Sequence, residues 1–304
     1  MPPVTRTDRD RGYERCVVTF IDILGFRHLL ATRDASEIVD ALASLREFTA
    51  GDANDRPPPR RMAEVRLNSE SYSEAVSDAV VRVRPVEIQA PDGAFVNELI
   101  DLVHATVACV NRDILIRGGL AIGAAHVGLD GKGPIFGPAM VRAYEIEDAE
   151  AVYPRILIDE DAIEQYLGDA SLWRYQEHDS WEASLARQLI GVAEDGAHFV
   201  DYLRGAGPGE FDDHELGQFA FLKQHRHMIV SRLSGSTGTV RRKLVWLANY
   251  HNRFIAQLRV GYDESDPQGS FEATIGTAPR ELFDALVIDL ADDASRQLSE
   301  IANR

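Results

Sequence analysis

A chain of 304 residues with 45% hydrophobic content holds enough material for one large domain or two modest ones, each with its own core. A formal charge of −17 makes its surface repel nucleic acid and anionic membrane, which argues against a polyanion-binding role. A nucleotide is still admitted, because a single metal site reverses the field locally. Cys16 and Cys109 sit in apolar runs without metal or disulfide spacing. No apolar stretch reads as long enough to span a bilayer, and "MPPVTRTDRDRGYER" lacks an apolar signal core. The expected location is the cytoplasm.

The first element is "VVTFIDILGF", Val17 to Phe26, a run of strand formers interrupted by one carboxylate, Asp22. Gly25 and Phe26 close it, and a helix-like stretch follows. Ala35 to Ala50 carries Ile38, Ala41, Leu42, Leu45 and Phe48 on one helical face. Gly51 to Arg61 is a polar loop broken by prolines. Met62 to Val83 is rich in strand formers with a break at Ser77 and Asp78, which predicts a hairpin of Tyr72 to Val76 and Ala79 to Val83. Helical spacing returns over Phe95 to Val110. Ile114 to Gly128, "ILIRGGLAIGAAHVG", reads as a glycine-spotted strand pair, and "LDGKGPIFGPA" as a turn. Met140 to Ala149 reads as a short helix and Arg155 to Asp159 as a strand.

The resulting order, β-α-β-β-α-β-β-α-β, predicts an α+β protein with a ferredoxin-like core elaborated at its end. Residues 160–204 are mixed in pattern, and Gly205 to Asp213 reads as a linker. His214 to Leu233 and Val240 to Leu258 read as two helices. The expected division is a domain over 1–204, with its core over 15–165, and a mainly helical C-terminal extension over 205–304. His225 and His227 lie two apart, the wrong spacing for one helical face, which speaks against a metal pair there.

Burying an unpaired carboxylate costs several kcal/mol, so Asp22 needs a reason. Asp78 lies at the predicted hairpin tip. If that hairpin packs beside the first strand, the two acids become neighbours, and neighbouring carboxylates need a proton or a cation between them. Such an oxygen-rich site suits Mg²⁺ or Mn²⁺. The plainer alternative is that Asp22 bonds locally and Asp78 is an ordinary turn residue.

"FIDILGF" is similar to the F-x-D-I-x-G-F signature of class III nucleotidyl cyclases. "SDAVV" stands where that family has its second metal-binding Asp, and "IRGGLAIGAAHVG" resembles its R-x-G-I-x-x-G strand. "GPAMVRAYEIEDAEAVYPRILID" falls at the family's G-x-x-V-N-x-A-x-R helix in different wording, and resembles the Pycsar pyrimidine cyclases of bacterial antiphage defence. The likeness spans residues 15–165. It implies a class III cyclase core in which Asp22, the backbone carbonyl of Ile23 and Asp78 hold two Mn²⁺ or Mg²⁺ ions. It also implies a homodimer with composite sites, and phosphate oxygens cradled by the N–H groups of Leu24, Gly25 and Phe26.

The departures bear on substrate. The base-reading Lys of purine cyclases is replaced by Glu74, with Tyr72 two residues earlier, and its partnering Asp by Pro134. The family's transition-state Asn and Arg fall at Val141 and Glu145, so Arg142, Arg117 or Arg155 is left to take that role, and the sequence does not choose among them. The resemblance implies UTP as substrate, CTP second, and a cyclic product that activates a separate effector protein as a second messenger. Two rivals stand beside it. One is a purine nucleotide cyclase. The other is a cyclase fold without catalysis, used as an interaction module.

Overall fold

The computed structural model describes residues 12–49, 72–76, 79–87, 93–126, 134–173, 181–207, 215–265 and 279–290. The loop at Gly51 to Arg61, the run 62–71, Asp78, residues 129–133 of the turn that follows Gly128, and 208–213 of the expected linker lie outside the described residues. The chain divides into two compact units, Met1–Gly205 and Ala206–Arg304.

The first unit is α+β. Its strands are β1 (Glu14–Ile23), β2 (Tyr72–Val76), β3 (Ala79–Pro85), β4 (Ile116–Ala125), β5 (Ile156–Ile158), β6 (Ile190–Val192) and β7 (His198–Val200). They form one sheet in the order β2-β3-β1-β4-β5-β7-β6. The first four strands follow the ferredoxin-like order, with β1 antiparallel to both β3 and β4. β5 adds in parallel to β4, and the β6–β7 hairpin continues the sheet. The helices are α1 (Phe26–Thr32), α2 (Ala35–Thr49), α3 (Ala94–Asn111), α4 (Pro138–Glu145), α5 (Glu160–Gly168), α6 (Trp181–Leu189) and α7 (Tyr202–Gly205).

Alternation along β1 and β3 separates two layers. Cys16, Val18, Val81 and Val83 join Ala121, Ala125, Ala139 and Ala143 in an apolar cluster under α4. The other face turns Thr19, Arg82 and Arg84 toward Glu98 of α3. Glu98 accepts from Thr19 Oγ1 at 3.0 Å, Arg82 Nε at 2.9 Å and Arg84 Nε at 3.1 Å, while Asp101 pairs with both arginines. Arg82, Arg84 and Glu98 are all essentially inaccessible to water.

Three expectations are corrected. Ile114 to Gly128 is not a strand pair: residues 116–125 form one strand paired along its whole length with β1. Its glycines mark a close approach, not a turn. A Cβ on Gly119 would meet the Ala143 carbonyl at 2.4 Å and Ile146 Cβ at 2.6 Å, so α4 lies directly on the backbone there. The expected helix at Met140 to Ala149 is α-helical only over Pro138–Glu145 and continues as a π turn over Ile146–Glu150. Finally, α3 is long and apolar enough by composition to cross a bilayer. Its apolar face is spent on the core instead, and Glu98 within it answers two arginines.

The second unit is helical: α8 (Glu215–Leu233), α9 (Gly238–Ser265) and α10 (Pro279–Leu286). Phe219, Tyr262 and Phe283 pack ring against ring, one from each helix. Asn252 donates to the Ile288 carbonyl at 2.9 Å and accepts from the Ile288 N–H at 2.8 Å. Deeper in, His225 of α8 and His251 of α9 meet Nδ1 to Nδ1 at 3.0 Å, both fully buried. His251 Nε2 faces the Leu286 carbonyl at 3.0 Å. A carbonyl only accepts, so Nε2 carries the proton of neutral His251, its Nδ1 accepts, and His225 Nδ1 is the donor.

A second proton on His251, at Nδ1, would set two donors against each other at 3.0 Å. Burial pushes both imidazoles down, His251 to about 4, with the Leu286 bond opposing and Arg226 adding to the fall. Folded values below the unfolded value of about 6.5 mean that this stability is complete above pH 6.5 and is lost as pH falls from there toward 4. Each ring contributes up to about 1.4 kcal/mol per pH unit over that window. Amide exchange of peptides from α8 and α9, corrected for intrinsic rate, should therefore show protection falling with acid in wild type and a shallower dependence in His225→Gln/His251→Gln. Equal slopes would refute the assignment.

Candidate active site

The end of β1 is held on both sides. Asp22 lies opposite Ala79 of β3 and opposite Arg117 of β4. Cross-strand partners share a face, and this one is the face that α4 covers. The Asp22 and Arg117 side chains are both mostly buried. Arg117 Nε and Nη2 each reach Asp22 Oδ2 at 3.4 Å. Arg117 Nη2 lies 2.6 Å from Glu147 Oε1, and Nη1 donates to the Glu147 and Ala151 carbonyls at 3.1 and 3.3 Å. By distance Glu147 is the nearer ion-pair partner of Arg117 and Asp22 the farther one. The π turn makes this possible, since it offers Arg117 both a buried carboxylate and a backbone carbonyl from one residue.

Beyond Asp22 the strand ends at Ile23 and the chain turns. Gly25 sits at φ 82°, a left-handed conformation that glycine adopts without penalty, and α1 starts at Phe26. The expected cradle of N–H groups is corrected at Leu24, whose N–H donates to the Leu115 carbonyl at 2.8 Å. The β1–β4 ladder extends one bond past the strand and takes that donor. Gly25 and Phe26 remain at the opening of α1, where first-turn N–H groups have no intrahelical acceptor.

The other named residues are placed as follows. Backbone register sets Tyr72 opposite Val83 and Glu74 opposite Val81. Asp78 lies outside the described residues, but Ala79, its chain neighbour, is the residue directly across from Asp22. Among the described residues no group of three or more His, Cys, Asp or Glu side chains gathers to hold a metal ion. Arg142, on α4, donates from Nε and Nη2 to the two Asp159 oxygens at 3.2 and 2.9 Å, and from Nη1 to Glu150 at 2.7 Å. The Asp159 bond above all, opposed by burial and then helped by Glu150, holds its charge more firmly than usual. Arg142 lines two cavities, one of about 540 Å³ with Tyr13, Phe136 and Val141, and one of about 250 Å³ with Glu150 and His198. Arg155 is buried and pairs with Asp195.

One participant and one pairing escaped the sequence reading. Glu147 lies in "EIEDAE", where any of the acids has an equal claim to be solvated surface. The Asp22–Arg117 pairing had a usable signal: opposite charges near the ends of two strands that a ferredoxin-like order makes neighbours.

No protein-family model and no curated protein matches the chain. Several solved structures are similar to it. The monomeric guanylyl cyclase domain of the RhoGC fusion protein from the aquatic fungus Blastocladiella emersonii shares 16% identity, over 62% of this chain and 95% of that one, with a TM-score of 0.38. The guanylyl cyclase Cya2 shares 13% over 50% and 78%, with a TM-score of 0.34. A bacterial light-regulated adenylyl cyclase shares 14% over 52% and 81%, also at 0.34.

Proposed function

We propose that the chain is a nucleotidyl cyclase that converts a nucleoside triphosphate to a 3′,5′-cyclic nucleotide and pyrophosphate at the end of β1. The observation that carries this reading is the register of Asp22 opposite Ala79, which brings the chain neighbour of Asp78 beside the first acid within a ferredoxin-like sheet. The donors fit a hard divalent cation in kind, since Asp22, Asp78 and the Ile23 carbonyl are all oxygen ligands. Mn²⁺ or Mg²⁺, if held by them, would supply charge neutralisation for the triphosphate and a lowered pKa at the ribose 3′-hydroxyl. Gly25 and Phe26 orient phosphate oxygens. The 3′-oxygen attacks the α-phosphorus, its proton leaves to solvent, and the bond to pyrophosphate breaks.

Arg142, half-buried between its two cavities, is the candidate for stabilising charge in the transition state. Val141, Tyr144 and Phe136 are exposed near it, an apolar surface suited to a homodimer in which each site combines the Asp22 side of one protomer with the α4 side of the other. Glu74 and Pro134 in place of a purine-reading pair favour a single-ring base, UTP first and CTP second. An ionised Glu74 would accept from the cytosine amino group and favour CTP. The product would serve as a second messenger that switches on a separate effector in antiphage defence within the cytoplasm.

A second reading rests on a specific observation: Arg117, Arg142 and Arg155 each carry a carboxylate partner. That suits a cyclase fold serving as a non-catalytic interaction module. Purified protein incubated with Mn²⁺ and each of the four NTPs separates the readings by mass spectrometry. Cyclic UMP or cyclic CMP is the expected dominant product. Dominant cyclic AMP or cyclic GMP would overturn the pyrimidine assignment, and the absence of any cyclic product would favour the module.

A further inference from the structure

Glu147 is a buried carboxylate that neither closes the sheet nor caps a helix. Desolvating such a group costs several kcal/mol, and the Arg117 guanidinium stands 2.6 Å from it. Around that guanidinium the geometry is unequal. The carbonyls of Glu147, in the π turn, and of Ala151, just past it, hold Nη1, Glu147 Oε1 lies 2.6 Å from Nη2, and Asp22 stands at 3.4 Å from both Nε and Nη2. An arginine facing Asp22 alone would close on it as a bidentate pair and cancel its charge. Shared with Glu147, the same arginine leaves the three groups with a surplus negative charge on the Asp22 side.

We infer that Glu147 is a positioning residue that holds Arg117 back from Asp22, so that the Asp22 carboxylate keeps its charge toward a divalent cation. Arg117 is then a tether that fixes the carboxylate's direction, and it does not reach substrate. The inference rests on the metal reading of Asp22 proposed above, and it adds a control element to it. The π turn is the device: an extra residue in the turn brings Glu147 and the Ala151 carbonyl to the same guanidinium.

The test is Mn²⁺ binding to the full chain without nucleotide, followed by loss of the free Mn²⁺ electron paramagnetic resonance signal. Wild type should bind and Asp22→Asn should not. Glu147→Gln removes the competing charge while keeping shape, and should weaken Mn²⁺ at least tenfold, about 1.4 kcal/mol. Glu147→Gln/Arg117→Gln removes both charges of the close pair, and should return affinity to within about threefold of wild type. Wild-type affinity in Glu147→Gln would overturn the inference. So would equal weakening in the single and double variants, which marks a merely structural role. Equal binding by wild type and Asp22→Asn, or no binding by wild type, would instead bring down the metal reading and the inference with it.

Discussion

Asp22→Ala is expected to reduce cyclic-nucleotide formation by about 10³-fold or more while the chain melts close to wild type. Metal-held charge stabilisation amounts to several kcal/mol in the transition state, and each 1.36 kcal/mol is a factor of ten in rate. The fold does not depend on this carboxylate to the same degree. Without it Arg117 still has Glu147 at 2.6 Å and two carbonyls, so no buried ion is orphaned. The stability loss should stay near the about 1 kcal/mol of one long, shared ion pair. Asp78→Ala should lose activity to a similar extent. Mass spectrometry of the product and circular-dichroism melting on the same samples check both halves. Full activity in either variant would remove that residue from the site.

Glu98→Ala should have the opposite profile, a structural collapse of the first unit. Glu98 answers two buried guanidinium groups and the Thr19 hydroxyl. Burial by itself would raise its pKa, but Arg82, then Arg84, and the bonds from Arg82 and Thr19 hold it below the usual carboxylate range. Removing it takes the buried carboxylate from Arg82 and Arg84, whose other acid, Asp101, is partly exposed, and breaking buried pairs in this way costs about 3–5 kcal/mol. A depressed folded pKa also fixes the pH behaviour. The contribution is complete above the unfolded value of about 4.3 and is lost as pH falls below it. Urea melts of the full chain at pH 7 check the first claim. A charge-free replacement, Arg82→Met/Arg84→Leu/Glu98→Met, should recover most of the loss. A variant lacking Glu98 alone that melts like wild type would show that the cluster carries little stability.

The parts of the fold that were legible in the sequence are those set by local periodicity. β1, the β2–β3 hairpin and α3 were readable because alternation or 3.6-residue spacing is written into each segment. Asp22 was readable because it violates its surroundings. What escaped depends on contacts distant in the chain. Arg142 meets Asp159 and Arg155 meets Asp195 only because β4, β5 and the β6–β7 hairpin lie side by side. No spacing within "VRAYEIEDAE" announces an extra residue in a helical turn, so the π turn and Glu147 stayed hidden. Ile114 to Gly128 was read as two strands because close approach by a neighbouring helix selects the same residue, glycine, as a break between strands does. The Leu24 donor was misassigned for a related reason: whether a ladder runs one bond further is decided by the partner strand.

The two faces of β3 also act as an index for strand pairing. Val81 and Val83 belong to one layer, and Arg82 and Arg84 to the other. A one-residue slip against β1 would exchange them, leaving two guanidinium groups among Cys16, Val18 and Ala143 and two valines against Glu98. A two-residue slip keeps the faces but carries one arginine out of line with Thr19 and Glu98. Strands that are merely apolar on both faces tolerate such errors, because every register buries a similar surface. This one does not, and the same matching of ions that rejects the wrong registers aligns Ala79 with Asp22. Accuracy of assembly at the hairpin tip is thus enforced from the far side of the sheet, by residues that take no part in the chemistry.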